Sequence, residues 1–266
     1  MNHLISDALK CELSAAQPLT DMVYEKTQGN AFFTVEFLKS LYEEKLLALD
    51  FENMKWNWEL EKIRKKEISD NVVELMAGKI RKLDSETQET LKLASCIGNK
   101  FDLPTLAVIC RSDQNTALAK LWPAVEEGLV YPLDKHYKLI RLTDKENIPA
   151  ETTASGFSRD MPKEIQKPHE AVAWFKFQHD RIQQAAYSLI AEADKQAVHL
   201  QVGRLLLANT PEQDMEAKIF DIVEQFNRAA GLITKEAEKL QVAALNLRAG
   251  KKAKASTAYR TAVRCF

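Results

Sequence analysis

Two short segments hold the residues whose types and spacing could do chemistry. The first, Phe175-Lys176-Phe177-Gln178-His179-Asp180-Arg181-Ile182-Gln183-Gln184-Ala185-Ala186-Tyr187, runs from strand formers into a helical pattern. Asp180 is a good N-cap and Gln183 stands at the capping-box position, so the spacing predicts a helix capped at Asp180. His179 immediately precedes that cap and Arg181 follows it. A helix N-terminus aims unpaired N–H groups at an anion, and an imidazole and a guanidinium beside it make phosphate the natural ligand class. The plainer reading is a well-capped helix with an incidental histidine. The second segment, Lys26-Thr27-Gln28-Gly29-Asn30-Ala31-Phe32-Phe33, puts a Gly29-Asn30 turn between two helices, with Ala31 leading into an aromatic pair. Read plainly, it is a helix-turn-helix corner over a buried Phe pair.

Nothing else assembles a reacting centre. There is no GxxxxGK[ST]: Gly78-Lys79 and Gly250-Lys251 lack the upstream glycine of a phosphate-cradling loop. GxGxxG, HExxH and GxSxG do not occur. The histidines at 3, 136, 169, 179 and 199 show no metal-ligand spacing, and the carboxylates are scattered over helix surfaces. The sequence therefore nominates no catalytic residue and no metal ligand.

The elements that must position these segments are mostly helices. The 266 residues are 45% hydrophobic, enough for two or three compact units, while eight Gly and eight Pro are few for the length. The 37 Lys and Arg offset 38 Asp and Glu, which leaves no electrostatic pull towards nucleic acid or an anionic membrane. Four dispersed cysteines (Cys11, Cys96, Cys110, Cys265), no CxxC, no apolar run of membrane-spanning length and no continuous apolar leader predict reduced thiols and a cytoplasmic address.

Apolar periodicity predicts helices over 3–16, 19–28 and 31–45, then a pair of short strands or a hairpin over 46–58 ending in Trp56-Asn57-Trp58. A charged run, 61–67, leads into a helix over 70–83. Ser85 with Gln88 suggests a capping box for a helix ending at Gly98, Asp102 with Pro104 opens a short helix, and a third runs over 115–127. After Gly128 the pattern suggests a hairpin of 129–133 with 137–142, a flexible insertion over 143–170, and a strand over 171–177. Three helices followed by a small sheet is the winged-helix arrangement, with the insertion as an extended wing. Helices near 180–191, 194–209, 213–231, 235–249 and 251–266 follow, and Gly250, Tyr259, Ala262 and Phe266 match the small and aromatic positions of a tetratricopeptide repeat. The fold class is mainly α: a small helical domain (1–67), a winged helix with a β wing (68–190) and the start of a helical-repeat array (191–266).

In this order, QGNAFF, WNW, FKFQHDRIQQAAYSLI and a repeat-like C-terminus resemble the predicted-ATPase module of signal-transduction ATPases with numerous domains. The resemblance covers about 19–266 and is most specific at HDRIQQAAY. Its nearest form is the module of bacterial, notably cyanobacterial, multidomain sensor kinases, which follows a serine/threonine kinase domain and precedes GAF and histidine-kinase domains. The wider group includes plant disease-resistance proteins and apoptotic caspase activators, in which a P-loop ATPase core is followed by a small helical domain and a winged helix.

The resemblance implies that His179 and Asp180, with Arg181 beside them, face the β-phosphate of bound ADP and hold a closed state. It also implies that Gly29, Asn30 and Ala31 pack on the adenine, although Ala31 stands where the family usually has Pro. A P-loop and an Mg-binding Asp strand are absent from the sequence, which suggests a fragment or the second half of a split gene. ADP or ATP is then expected as a ligand only when an ATPase core is supplied, and no other cofactor is implied. The implied partners are an upstream ATPase core and kinase domains, in cis or from a split gene, and proteins docked on the helical repeats. No nucleic-acid partner and no membrane span are expected. The function implied is a regulatory module that gates a nucleotide switch without catalysis of its own. The alternatives are a DNA-binding winged-helix regulator and a plain helical-repeat scaffold; the candidate recognition helix, TALAKLWPAVEEGL, carries one Lys against two Glu together with Pro123, the wrong balance for phosphate contact.

Overall fold

The computed structural model describes residues 1–65, 71–143 and 172–265. The chain is mainly α, with fourteen α-helices and five short strands among the described residues. It divides into two compact units, Met1–Lys79 and Ile80–Phe266.

In the first unit, α1 (Asn2–Leu9), α2 (Leu13–Thr27) and α3 (Ala31–Glu43) precede a hairpin of β1 (Leu47–Asp50) and β2 (Lys55–Trp58) and the short α4 (Leu60–Lys65). The first break falls earlier than the periodicity suggests. Lys10 adopts a left-handed φ of 48°, ends α1 and lets the Cys11 N–H bond back to Ser6 O, while α2 runs through Pro18. The expected hairpin forms, antiparallel, with Leu47 opposite Trp58 and Leu49 opposite Trp56. Ile5, Leu19, Val23, Phe37 and Leu41, spaced by threes and fours along their helices, close the core. Glu36 is buried on α3 against Lys39 (2.8 Å) and Lys79 (2.9 Å) of α5 (Val72–Arg81). Burial alone would raise its carboxyl, but the two ammonium groups outweigh this and hold it below the usual range.

The second unit opens with α6 (Ser85–Ile97), β3 (Lys100–Asp102), α7 (Leu103–Ile109), α8 (Gln114–Glu126) and β4 (Val130–Pro132). These three helices share one start signal, an Asp followed three residues later by Thr. Asp84, Asp102 and Asp113 each accept from the Thr N–H with one oxygen and from its hydroxyl with the other, at 2.7–2.9 Å. The Ser85–Gln88 capping box is thereby corrected: Asp84 is the cap, and the Gln88 amide donates to Leu83 O instead. Asp102 caps α7 as expected. Asp102→Ala is expected to cost about 1 kcal/mol, since it orphans a first-turn N–H, and urea unfolding at neutral pH measures it.

The partner predicted for β4 is wrong. Tyr137–Thr143 is a helix, α9, and the strand beside β4 is β5 (Trp174–Phe177), some forty residues on. A short apolar run such as YKLIRL fits either period. Tertiary contact decides here: Asp134 accepts from His136 N–H and Trp174 N–H, ending β4, and the Tyr137 ring packs on Trp122 and Phe175. β5 pairs antiparallel with β3 on its other edge, giving the order β3-β5-β4. β3 had no period of its own to announce it, being three residues long. The expected insertion over 143–170 lies almost wholly outside the described residues.

The remaining helices are α10 (Asp180–Ser188), α11 (Glu192–Ala208), α12 (Glu212–Arg228), α13 (Glu236–Ala255) and α14 (Tyr259–Cys265). Gly250 does not end a helix as predicted; it is buried within α13. Val202, Leu206, Ile219, Ile222 and Phe226 form the core between α11 and α12.

Candidate functional site

The segment around His179 is built by β5 feeding α10. Phe175 and Phe177 are fully buried and alternate with the exposed Trp174 and half-buried Lys176, so the strand is anchored on one face. Gln178 N–H bonds Leu129 O, and the chain then turns into the helix. The predicted cap is corrected by one residue. His179, not Asp180, is the N-cap: its Nδ1 accepts the Arg181 N–H at 3.1 Å. Asp180 is the first helical residue and accepts from the Asn99 side-chain amide, while the Arg181 guanidinium bonds Gln184 at 2.9 Å. Gln183 does not reach back to the cap; its amide donates to Ser95 O at 3.0 Å.

This cap assigns the imidazole proton. Nδ1 accepts from a backbone N–H and so carries a lone pair, which leaves the proton on Nε2 in the neutral ring. A donor N–H thus sits at the start of α10, beside the partial positive charge of the helix end.

Gly29, Asn30 and Ala31 are exposed and lie in the other compact unit. Gln28 and Gly29 both take positive φ (50° and 76°), which reverses the chain between α2 and α3. A side chain is strained at that φ, and a Cβ at Gly29 would also meet the Tyr24 ring at 3.4 Å. Asn30 caps α3 by accepting from the Phe33 N–H at 2.9 Å. Ala31 is the first helical residue, the position where Pro costs least. Phe33 is buried and packs edge-on against Phe37, whereas Phe32 is half-buried.

A polar relay that sequence reasoning missed lies in the second unit. Tyr187 Oη is 2.9 Å from His199 Nε2, His199 Nδ1 is 2.6 Å from Gln225 Oε1, and the Gln225 amide donates to Cys96 O at 2.8 Å. Four helices (α10, α11, α12, α6) contribute one group each. The carbonyl of Cys96 can only accept, so the directions follow: Gln225 turns its oxygen to His199, Nδ1 carries the proton, and Nε2 accepts from the tyrosine hydroxyl. His199 is 2% exposed. Burial, with the cations Arg228 and Lys195 nearby, holds it below the ordinary histidine range against the opposing pull of Gln225 and Glu224. Burial likewise pushes the Cys96 thiol up to about 11, so it stays protonated. Beside the relay is a cleft of about 280 Å³ lined in part by Gln183, Gln184, Tyr187, Glu224 and Arg228. Gly203, one turn beyond His199, admits α12 closely: a Cβ there would stand 3.2 Å from the Gln225 Cβ and 3.3 Å from the Phe226 ring. The only local signal for this relay is a histidine on the apolar face of α11.

Among the described residues no group of His, Cys, Asp and Glu could hold a metal ion, and no helix is long and apolar enough to cross a membrane. The four cysteines are free.

The chain is similar to part of a signalling kinase. It is 32% identical over 274 residues to hybrid signal transduction histidine kinase G of Dictyostelium discoideum, an alignment that takes in 97% of the chain. The chain spans about 8% of the length of that relative. No family model and no solved structure matches the chain.

Proposed function

We propose that the chain is a regulatory arm of a multidomain signalling protein, in which a winged helix presents His179 to the phosphate of ADP held by an ATPase core. The observation that carries this reading is the His179 cap. An imidazole that accepts the Arg181 N–H through Nδ1 is fixed in orientation at a helix N-terminus with its proton on Nε2, the setting in which a histidine meets an anion. Supporting it are three helices with an antiparallel sheet of order β3-β5-β4, which fits a winged helix over 68–190, and the likeness to a segment of a hybrid histidine kinase. On the same reading, 1–67 is the small helical domain whose Gly29–Ala31 turn meets adenine. The region 191–266 begins a helical-repeat scaffold for protein partners, and a kinase shares the polypeptide or the complex.

The test is His179→Ala in a polypeptide that joins the chain to a P-loop ATPase core, with ADP dissociation measured by stopped flow. A charge-assisted bond to phosphate contributes roughly 1.5–3 kcal/mol, so ADP should leave about ten-fold faster or more. The change in closed-state occupancy follows the same factor. Equal off-rates in equally folded proteins would reduce His179 to a helix cap.

A further inference from the structure

We propose that the Tyr187–His199–Gln225–Cys96 relay is a proton-sensitive latch, in which His199 is a positioning residue that ties α11 and α12 to the helix carrying His179. The inference takes His179 as the working end of α10 from the reading above. It adds how the helical region reaches that end.

α10 is held at several points along its length. At its start Asp180 takes the Asn99 amide, one turn on Gln183 grips Ser95 O, and near its end Tyr187 enters the relay. Of those anchors, Ser95 lies in the last turn of α6 and Asn99 just beyond its Gly98 cap, and the relay returns to the same place through Cys96 O. A displacement of α12 at Gln225 therefore acts on α6 directly and on α10 through His199. The close approach at Gly203 makes that contact stiff, because the facing atoms are the Gln225 Cβ and the packed Phe226 ring.

Only the neutral histidine completes the relay as built. A proton taken from solvent through the adjoining cleft binds the Nε2 lone pair, and the Tyr187 O–H loses its acceptor. The hydroxyl must then turn to accept from Nε2–H and send its own proton towards the cleft. The new cation also faces Lys195 on α11, whose ammonium lies over the Tyr187 ring at 4.9 Å, and Arg228 on α12. Glu224 on α12 is the anion nearby, already bound to Arg228 at 2.7 Å. Cys96 on α6 stays neutral. Protonation thus reverses the α10 link and places like charges around it.

The experiment follows the His199 ring signals and the Arg181 backbone amide, which His179 caps, by NMR on the isotope-labelled chain across pH 8 to 4.5, without nucleotide. At neutral pH His199 should show the Nδ1–H tautomer, and its midpoint should lie below the ordinary value near 6.5. The Arg181 amide should shift with an inflection at the His199 midpoint. In Tyr187→Phe that inflection should vanish while His199 still titrates. In Arg228→Gln, which removes a repelling cation and its bond to the Tyr187 side chain but leaves the Tyr187–His199–Gln225–Cys96 bonds in place, the His199 midpoint should rise and the inflection of the Arg181 amide should move with it. An Arg181 amide with no inflection at the His199 midpoint in any of the three proteins would overturn the latch, as would an Nε2–H tautomer at His199. If Tyr187→Phe does not fold, Arg228→Gln decides alone. Because no nucleotide is present, a failed coupling here and unchanged ADP release in His179→Ala are separate results.

Discussion

Phe175→Ala is expected to lower the stability of the second unit by about 3–5 kcal/mol, the largest single effect anticipated in this protein. Phe175 sits on the central strand of the sheet, is fully buried, and stacks on Phe101 of β3 with ring centroids 6.1 Å apart. Tyr137 covers it from α9 at 6.4 Å, and Phe177 fills the adjoining space against Phe101 at 5.7 Å. Truncation removes the packing shared by β3 and α9. The backbone of β5 is bonded on both edges, so the surroundings cannot collapse into the void. Trp174→Ala supplies the contrast on the same strand. That ring is 37% exposed and holds Lys100 over its face at 4.4 Å, a contact of about 0.5–1 kcal/mol. Urea unfolding followed by two probes reads both variants. A cost below about 1.5 kcal/mol for Phe175→Ala would mean that β5 is not the keystone of this unit.

Gln225→Leu should cost roughly 2–4 kcal/mol, because it leaves two buried groups unpaired, the His199 Nδ1–H and Cys96 O, at roughly 1–2 kcal/mol each, inside the usual penalty for a buried group without a partner. Volume is nearly conserved, so the loss is one of hydrogen bonding rather than of packing. The relay also predicts a pH dependence. His199 is held below its unfolded value near 6.5, so between that value and its folded one the unfolded chain binds the extra proton. The stability of the neutral relay is therefore complete above about pH 6.5 and falls as the pH drops from there towards the folded midpoint. Thermal unfolding at pH 7.5 and 5.5 measures it. His199→Gln, which cannot take up a proton, should flatten that part of the slope, and an unchanged slope would assign the pH dependence elsewhere.

Much of the molecule was legible residue by residue. The 3.6-residue periods of 31–45, 70–83 and 115–127 encode α3, α5 and α8, because one apolar stripe must be buried whatever it meets. The Gly29-Asn30 corner, the Asp102 cap and the Leu47–Trp58 hairpin depend on bonds that span only a few residues, so sequence alone determined them. His179 could be nominated from its place before a helix, yet its role as the cap itself rests on imidazole geometry that composition does not reveal.

What only the tertiary structure decided has one physical cause: the deciding partners are remote in sequence. YKLIRL is the helix α9 rather than a strand, and the edge of β4 is occupied by β5, about forty residues away. Lys100–Asp102 became a strand only because β5 offered it an edge. Gly250 continues α13 although glycine is a poor helix former, since burial against neighbours outweighs a propensity cost of about 1 kcal/mol. The relay is the extreme case, joining residues 12, 26 and 129 positions apart. No local pattern encodes such a pairing; it exists only when four helices have packed and their buried polar groups must find one another.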